Sequence, residues 1–129
     1  MASKIALYQN DNGIKLYVNI TKDGLIENIS GAEIEFVLEG VQSGVRINKS
    51  THALHPQDVI EITDPEMAEI CITLYSKDTE VIDVYNSRIT TVYSNGTKLT
   101  NDELQYNGSK VSFQIKQPKV KFKESDVDD

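Results

Sequence analysis

The stretch that decides the fold is IKLYVNITKDGLIENISGAEIEFVL, residues 14–38. From Ile14 to Ile20 every second residue is a large apolar one, which is the period of a strand with one buried face. Lys22-Asp23-Gly24 is a turn signal, and the stretch from Leu25 to Gly31 is predicted to be a loop. The alternation then resumes from Ala32 to Leu38. Two amphipathic strands each need a covering layer, so the segment predicts packed β-sheets.

The bulk composition bounds the class of protein. A chain of 129 residues is long enough for one domain with its own core. The formal charge of −7 disfavours general binding to nucleic acid or anionic lipid. A single cysteine, Cys71, gives no sign of a disulfide framework, and residues 1–11 lack the apolar core of a signal peptide. We therefore expect no nucleic-acid partner, no membrane insertion and folding in a reducing cytoplasm.

The rest of the chain continues as short strand patterns separated by turns. Further strands are expected at Lys4–Tyr8, Val45–Ile47, Val59–Ile62, Glu69–Tyr75, Glu80–Tyr85, Arg88–Tyr93, Leu104–Tyr106 and Val111–Ile115. Lys49 to Gln57 is expected to be a loop, and Asn86-Ser87 is expected to separate two strands. Thr100 to Glu103 offers at most one helical turn.

This pattern predicts an all-β fold, and the best architecture is an immunoglobulin-like sandwich of two antiparallel sheets. A small β-barrel is the alternative, since alternation alone does not separate the two. Residues 1–117 are expected to form the sandwich domain. Residues 118–129 are expected to give a lysine-rich edge strand, KVKFK, and an acidic, disordered tail.

Few residues are arranged for chemistry. His52, His55 and Asp58 could hold a transition metal, but two solvated histidines are the commoner explanation of this spacing. Cys71 lies in an alternating apolar strand, which favours a packed thiol over a nucleophile.

The acidic residues favour solvated surfaces over catalysis. Glu33, Glu35 and Glu39 share the outer face of one strand, where carboxylate pairs for acid/base catalysis are rare. The terminal aspartates lack the glycine and distal glutamate of a calcium loop; they are Asp126, Asp128 and Asp129. No nucleophile elbow or phosphate-binding glycine motif occurs, so we expect no enzyme, no metal and no cofactor.

A binding surface is the remaining functional class. Tyrosine is enriched in protein interfaces because its ring is large and its tip is polar. Tyr17, Val37 and Tyr75 lie opposite the main core positions, and KVKFK could add a strand to a neighbour. The candidate interface residues are therefore Tyr17, Val37, Tyr75, Val120 and Phe122.

Four segments resemble the N-terminal domain of phage baseplate upper proteins. They are VNITKDGLIENISGAEIEFVLEG (18–40), DVIEITDPEMAEICITL (58–74), SRITTVYSNGTKL (87–99) and VSFQIK (111–116). The resemblance lies in a strand, a K-D-G turn, a small-residue "SGA" step into a second strand, and a later hairpin with a T-D-P turn. It implies a non-catalytic β-sandwich module of the virion, docked on the central tail hub of a phage that infects Gram-positive bacteria.

The resemblance also implies other phage tail proteins as partners and a homo-oligomer within the assembly. No catalytic residue is implied. No helical or linker-like segment follows Gln117, so either an isolated first domain or a small accessory docking protein is expected. The alternative from another class is a carbohydrate- or protein-binding immunoglobulin-like module of a bacterial surface adhesin. An enzyme that uses His52, His55 and Asp58 is a third hypothesis.

Overall fold

The structure is a computed structural model that describes residues 3–101, 104–106 and 109–117. In this part of the chain, twelve strands and one short 3₁₀ helix follow one another. The strands are β1 (Ser3–Tyr8), β2 (Ile14–Asn19), β3 (Thr21–Lys22), β4 (Leu25–Ile26), β5 (Glu33–Gly40), β6 (Arg46–Ser50), β7 (Glu61–Asp64), β8 (Glu69–Leu74), β9 (Asp83–Val92), β10 (Lys98–Asn101), β11 (Leu104–Tyr106) and β12 (Ser109–Lys116). The 3₁₀ helix is Pro56–Asp58.

The strands form two main sheets. The larger sheet has the order β1-β12-β9-β5-β6, with β10 paired to β9 and β11 paired to β12. The smaller sheet has the order β2-β8-β7, and β3 and β4 form a hairpin of their own. The strand pairs that the structure describes are antiparallel except β1 with β12, which run parallel, and an isolated parallel bridge joins Ser50 to Val59.

The core lies between the two sheets. From the larger sheet, Ile34, Phe36 and Leu38 are buried on one face of β5, and from the smaller sheet Ile70, Ile72 and Leu74 are buried on β8. Their outward neighbours on β5 are exposed glutamates or half-buried Val37. This inward and outward alternation on both sheets is that of a sandwich, and the sheets do not close into the alternative barrel.

The strand order is that of an immunoglobulin-like sandwich. A B-E-D type sheet (β2-β8-β7) packs on a G-F-C type sheet with an added strand at its far edge. At the start of β9, the Tyr85 hydroxyl donates to the Val81 carbonyl at 2.6 Å, as in the tyrosine corner of this fold. Buried Ser87 follows two residues later, where antibody domains carry a disulfide cysteine. The predicted all-β, immunoglobulin-like class is confirmed.

Two expected breaks in the larger sheet are absent from the described residues. β9 runs through Asn86-Ser87 without interruption because both residues pair with β5, and Ser87 occupies an inward position. β6 includes Lys49 and Ser50, which were expected to begin a loop, because these two residues continue the ladder with Phe36 and Glu35.

Two local predictions also need correction. Leu25–Ile26, expected within a loop, pairs with Thr21–Lys22 across the turn at Asp23-Gly24. Thr100 lies in strand β10, so it does not start a helical turn. The predicted pairing of 104–106 with the last strand is confirmed, whereas the expected edge strand and tail at 118–129 lie outside the described residues.

Candidate functional site

Exposed apolar side chains gather at one end of the outer face of the larger sheet. The register places Tyr8 beside Lys116 and Val84 beside Gln114, in neighbouring rows of that face. Ile82 precedes Val84 by two residues, and the Val41 amide donates to the Val84 carbonyl at 2.8 Å. We call this set the apolar patch: Tyr8, Val41, Ile82 and Val84, which are 39%, 59%, 46% and 43% exposed. A group of exposed large apolar side chains on one sheet face is a candidate contact site for other molecules.

Asp83 fixes the geometry of this patch. Its carboxylate accepts hydrogen bonds from the backbone amides of Ser43 (2.8 Å), Gln42 (3.1 Å) and Val84 (2.8 Å). The hydrogen bond from the Ser43 amide is the main reason that the pKa of Asp83 is lowered. The carboxylate thereby ties the 41–44 turn to the start of β9 and holds Val41 next to Val84.

Gly40 permits this close approach of the turn to β9. A Cβ at this position would lie 2.5 Å from a carboxylate oxygen of Asp83 and would also clash with the Ser43 hydroxyl. Glycine at residue 40 is therefore favoured by the lack of space and not by its backbone conformation, because its φ is not in the left-handed region. The position of the patch thus depends on a residue that does not itself contribute to the surface.

Next to the apolar patch, the same outer face of the larger sheet carries charged residues. Val37 is paired with Arg88 and Asn48, and Glu39 is paired with Arg46. A groove of about 230 Å³ is lined by Val37, Glu39, Arg46, Asn86, Ser87 and Arg88. Arginine beside a half-buried apolar residue is typical of protein interfaces, so Val37 and the patch form one candidate contact face.

The candidate interface residues from the sequence do not share one surface. Val37 lies on the outer face of the larger sheet, whereas Tyr17, 54% exposed, lies on the outer face of the smaller sheet. Tyr75 follows β8 and packs against a lysine described below. Val120 and Phe122 lie outside the described residues.

The buried side chain of Lys49 extends from β6 to the 3₁₀ helix at one side of the sandwich. Its Nζ donates to Asp78 Oδ2 at 2.6 Å, to the Gln57 carbonyl at 2.8 Å and to Asp58 Oδ1 at 3.3 Å. The same Asp78 oxygen accepts from the Tyr75 amide at 2.8 Å. Lys49 Nζ also lies 5.4 Å from the centre of the Tyr75 ring.

Lys77 completes this group at the surface. It contacts Asp58 at 2.7 Å and Asp78 at 3.5 Å. Burial alone would raise the pKa of Asp58, but hydrogen bonds from Lys77 and Lys49 outweigh it and lower that pKa. Burial would lower the pKa of Lys77, but the hydrogen bond to Asp58 and the charge of Asp78 raise it. Each charge in this group has an opposite partner.

The residues considered for metal binding are engaged elsewhere or exposed. His55 Nδ1 accepts from the Gln57 amide at 3.3 Å, His52 is exposed, and Asp58 binds the two lysines. In residues 3–101, 104–106 and 109–117, no group of three or more His, Cys, Asp or Glu side chains could hold a metal ion.

Cys71 is 4% exposed and lies on β8 between Tyr17 and Glu61. The carboxylates of Glu33, Glu35 and Glu39 are exposed on the outer face of β5, and Asp126, Asp128 and Asp129 lie outside the described residues. None of the described helices is long and apolar enough to span a membrane.

Sequence reasoning missed the apolar patch and the buried lysine. The signal for the patch was present at Val81, Ile82 and Val84, where apolar residues occupy both faces of one extended run. Lys49 could have been recognised from the alternation of this strand, because it continues the every-second-residue series of Val45 and Ile47, which points inward. A charge at an inward position requires a buried partner, and Asp78 supplies it.

Comparison with known protein families and with characterised proteins finds no match for this chain.

Proposed function

We propose that this chain is a non-catalytic docking module of a phage tail baseplate, which attaches to the central tail hub within the virion. The resemblance of residues 18–40, 58–74, 87–99 and 111–116 to baseplate upper proteins supports the assignment to the tail. The observation that carries the docking role is the apolar patch on the outer face of the larger sheet.

The patch has the chemistry of a contact surface. Four large apolar side chains are each at least 39% exposed in a protein with a formal charge of −7. The polar groups of the 41–44 turn are bound by Asp83, so its backbone is already ordered before a partner arrives. An ordered surface loses little conformational entropy on binding, which favours a stable assembly.

Co-expression with each tail protein encoded beside this gene tests the proposal. We expect one of them to form a complex that coelutes in size-exclusion chromatography with light scattering. Val84→Lys buries a charge against the partner and is expected to weaken the complex at least about tenfold. Leu54→Lys is the matched control, because Leu54 is fully exposed on the 51–55 loop and lies off the patch.

The outcomes separate the hypotheses. No complex with any neighbouring tail protein, or equal binding by the Val84→Lys variant, would refute docking through this patch. Retention of the protein on a glycan array, without a tail-protein complex, would support the adhesin module in its place.

A further inference from the structure

The edge strands of the two sheets differ in how they are protected against pairing with other chains. On β6 the inward side chain of Lys49 is a buried charge, which protects an edge. On β7 the register shifts between Ile62 and Asp64, and Pro65 follows immediately. On β1 the Tyr8 amide is occupied by Asp11 at 2.9 Å. Strand β2 has none of these devices in the part of the chain that the structure describes.

The outer edge of β2 has no paired strand among the described residues. In the usual immunoglobulin arrangement, the first strand lies beside this position, but here β1 pairs with β12 in the other sheet. β11 contacts β2, but its ladder is with β12. The six residues of β2 contain no proline and no bulge, and Lys15 is their only charge.

The hydrogen-bonding pattern of β2 shows which of its backbone amides and carbonyls point away from β8. The Ile20 amide donates to the Ala68 carbonyl, which places the even-numbered residues in bonded pairs with β8. The backbone amides and carbonyls of Lys15, Tyr17 and Asn19 therefore point away from β8, towards the edge that no described strand pairs with. Tyr17 lies at the centre of these three.

The sequence around Tyr17 is self-complementary. When IKLYVNI (14–20) is laid antiparallel on itself about Tyr17, Ile14 meets Ile20, Leu16 meets Val18 and Lys15 meets Asn19. Every apolar core position then faces an apolar one, the two Tyr17 rings face each other, and no like charges meet. The hydrogen-bonding pattern also matches, because Lys15, Tyr17 and Asn19, whose backbone groups point away from β8, pair with the same three residues of the second copy.

We propose that β2 is a dimerisation edge and that its occupant is the β2 strand of a second copy of this chain. The pairing is antiparallel about a two-fold axis at Tyr17, and it joins the two smaller sheets into one sheet of six strands. The interface is isologous, so it closes on itself and leaves the apolar patch of each copy on a different sheet, free for its own partner.

Cysteine cross-linking tests both the dimer and its register. All variants are made in a Cys71→Ser background, because Cys71 lies directly opposite Tyr17 within one chain. Opposed residues in a bonded antiparallel pair have Cα atoms about 5.5 Å apart, within disulfide range. Tyr17→Cys is therefore expected to give a covalent dimer on mild oxidation.

The controls are set by the same register. Lys15→Cys alone should not cross-link, since the two copies of residue 15 are offset by about 13 Å along the strand. A mixture of the Lys15→Cys and Asn19→Cys chains should cross-link as a heteropair. Equal cross-linking by all three single variants, or none by any, overturns the proposal.

Sedimentation of the unmodified chain gives the second readout. We expect a concentration-dependent dimer whose dissociation constant rises at least about tenfold in Tyr17→Lys, because like charges then meet at the axis. Val84→Lys should leave the dimer intact while it weakens the proposed tail complex. A monomer at all concentrations overturns the dimer without affecting the docking proposal.

Discussion

Replacing Lys49 by methionine tests whether the buried charge group stabilises the sandwich. Methionine keeps the length of the side chain but cannot donate the hydrogen bonds to Asp78, Gln57 and Asp58. The side chain of Asp78 is 5% exposed, so its carboxylate would remain buried with a reduced set of partners. Removing one partner of such a pair typically costs 3–5 kcal/mol.

The remaining contacts place the expected loss at the lower end of that range. The carboxylate of Asp78 keeps the Tyr75 amide at 2.8 Å and Lys77 at 3.5 Å. We therefore expect Lys49→Met to lower the free energy of unfolding by about 3 kcal/mol. With a urea slope of about 1–3 kcal/mol per molar, the denaturation midpoint should fall by about 1–3 M.

Urea denaturation followed by circular dichroism measures this loss, with two further variants. Lys77→Met is the matched control, because the side chain of Lys77 is 41% exposed and its removal should cost no more than about 1 kcal/mol. Lys49→Met combined with Asp78→Asn should cost less than the sum of the single changes, by at least about 1 kcal/mol. A loss below about 0.5 kcal/mol for Lys49→Met, or full additivity, would refute the reasoning.

Four further perturbations follow from individual contacts. Because the folded-state pKa of Asp83 is lowered, its stabilisation is present above the unfolded value of about 3.9 and is lost as the pH falls through the folded value. Acid titration of stability should therefore show a shallower loss in Asp83→Asn, and an unchanged acid limb would contradict this. Gly40→Ala should cost about 1–3 kcal/mol in urea denaturation, because its Cβ would meet the Asp83 carboxylate; a neutral effect would show that the turn relaxes freely. Tyr85→Phe removes the 2.6 Å hydrogen bond to the Val81 carbonyl and should cost about 1 kcal/mol, measured as a lower thermal midpoint; no shift would mean that this bond adds nothing. Thr91→Val should leave stability equal or raise it by about 1 kcal/mol, since the buried Thr91 hydroxyl has no hydrogen-bond partner among the described residues; clear destabilisation would reveal a partner.

The sequence predicts the sheets well because alternation reports directly on a two-sided environment. The apolar series of β5 and β8 identify both inner faces, and the turn at Asp64-Pro65 separates β7 from β8 as expected. The sequence could not show that β9 is continuous, because Asn86-Ser87 has the local chemistry of a turn. Its extended form is imposed by pairing with β5, a contact between residues far apart in the chain.

The candidate site was less predictable because it depends on which face each strand turns outward at one end of a sheet. Val37 was identified as an interface candidate from the alternation alone, because it is a valine at an outward position of β5 among glutamates. The apolar patch required the register of β1 with β12 and of β12 with β9, and this parallel pairing leaves no mark in local periodicity. Lys49 was missed because a lysine is assumed to be exposed until a buried carboxylate is located.

The protection of the sheet edges links these observations to assembly. The buried pair of Lys49 and Asp78 gains little stability over two apolar residues of similar volume, because desolvation of both charges offsets much of their attraction. It does make the edge of β6 a poor template, because a second chain paired there would lie next to a buried charge. Strand β2 carries apolar residues at every inward position and an exposed tyrosine at its centre. The edge of β6 is protected by a buried charge and that of β7 by a bulge and a proline, whereas the edge of β2 is self-complementary. This difference specifies where a second chain can pair.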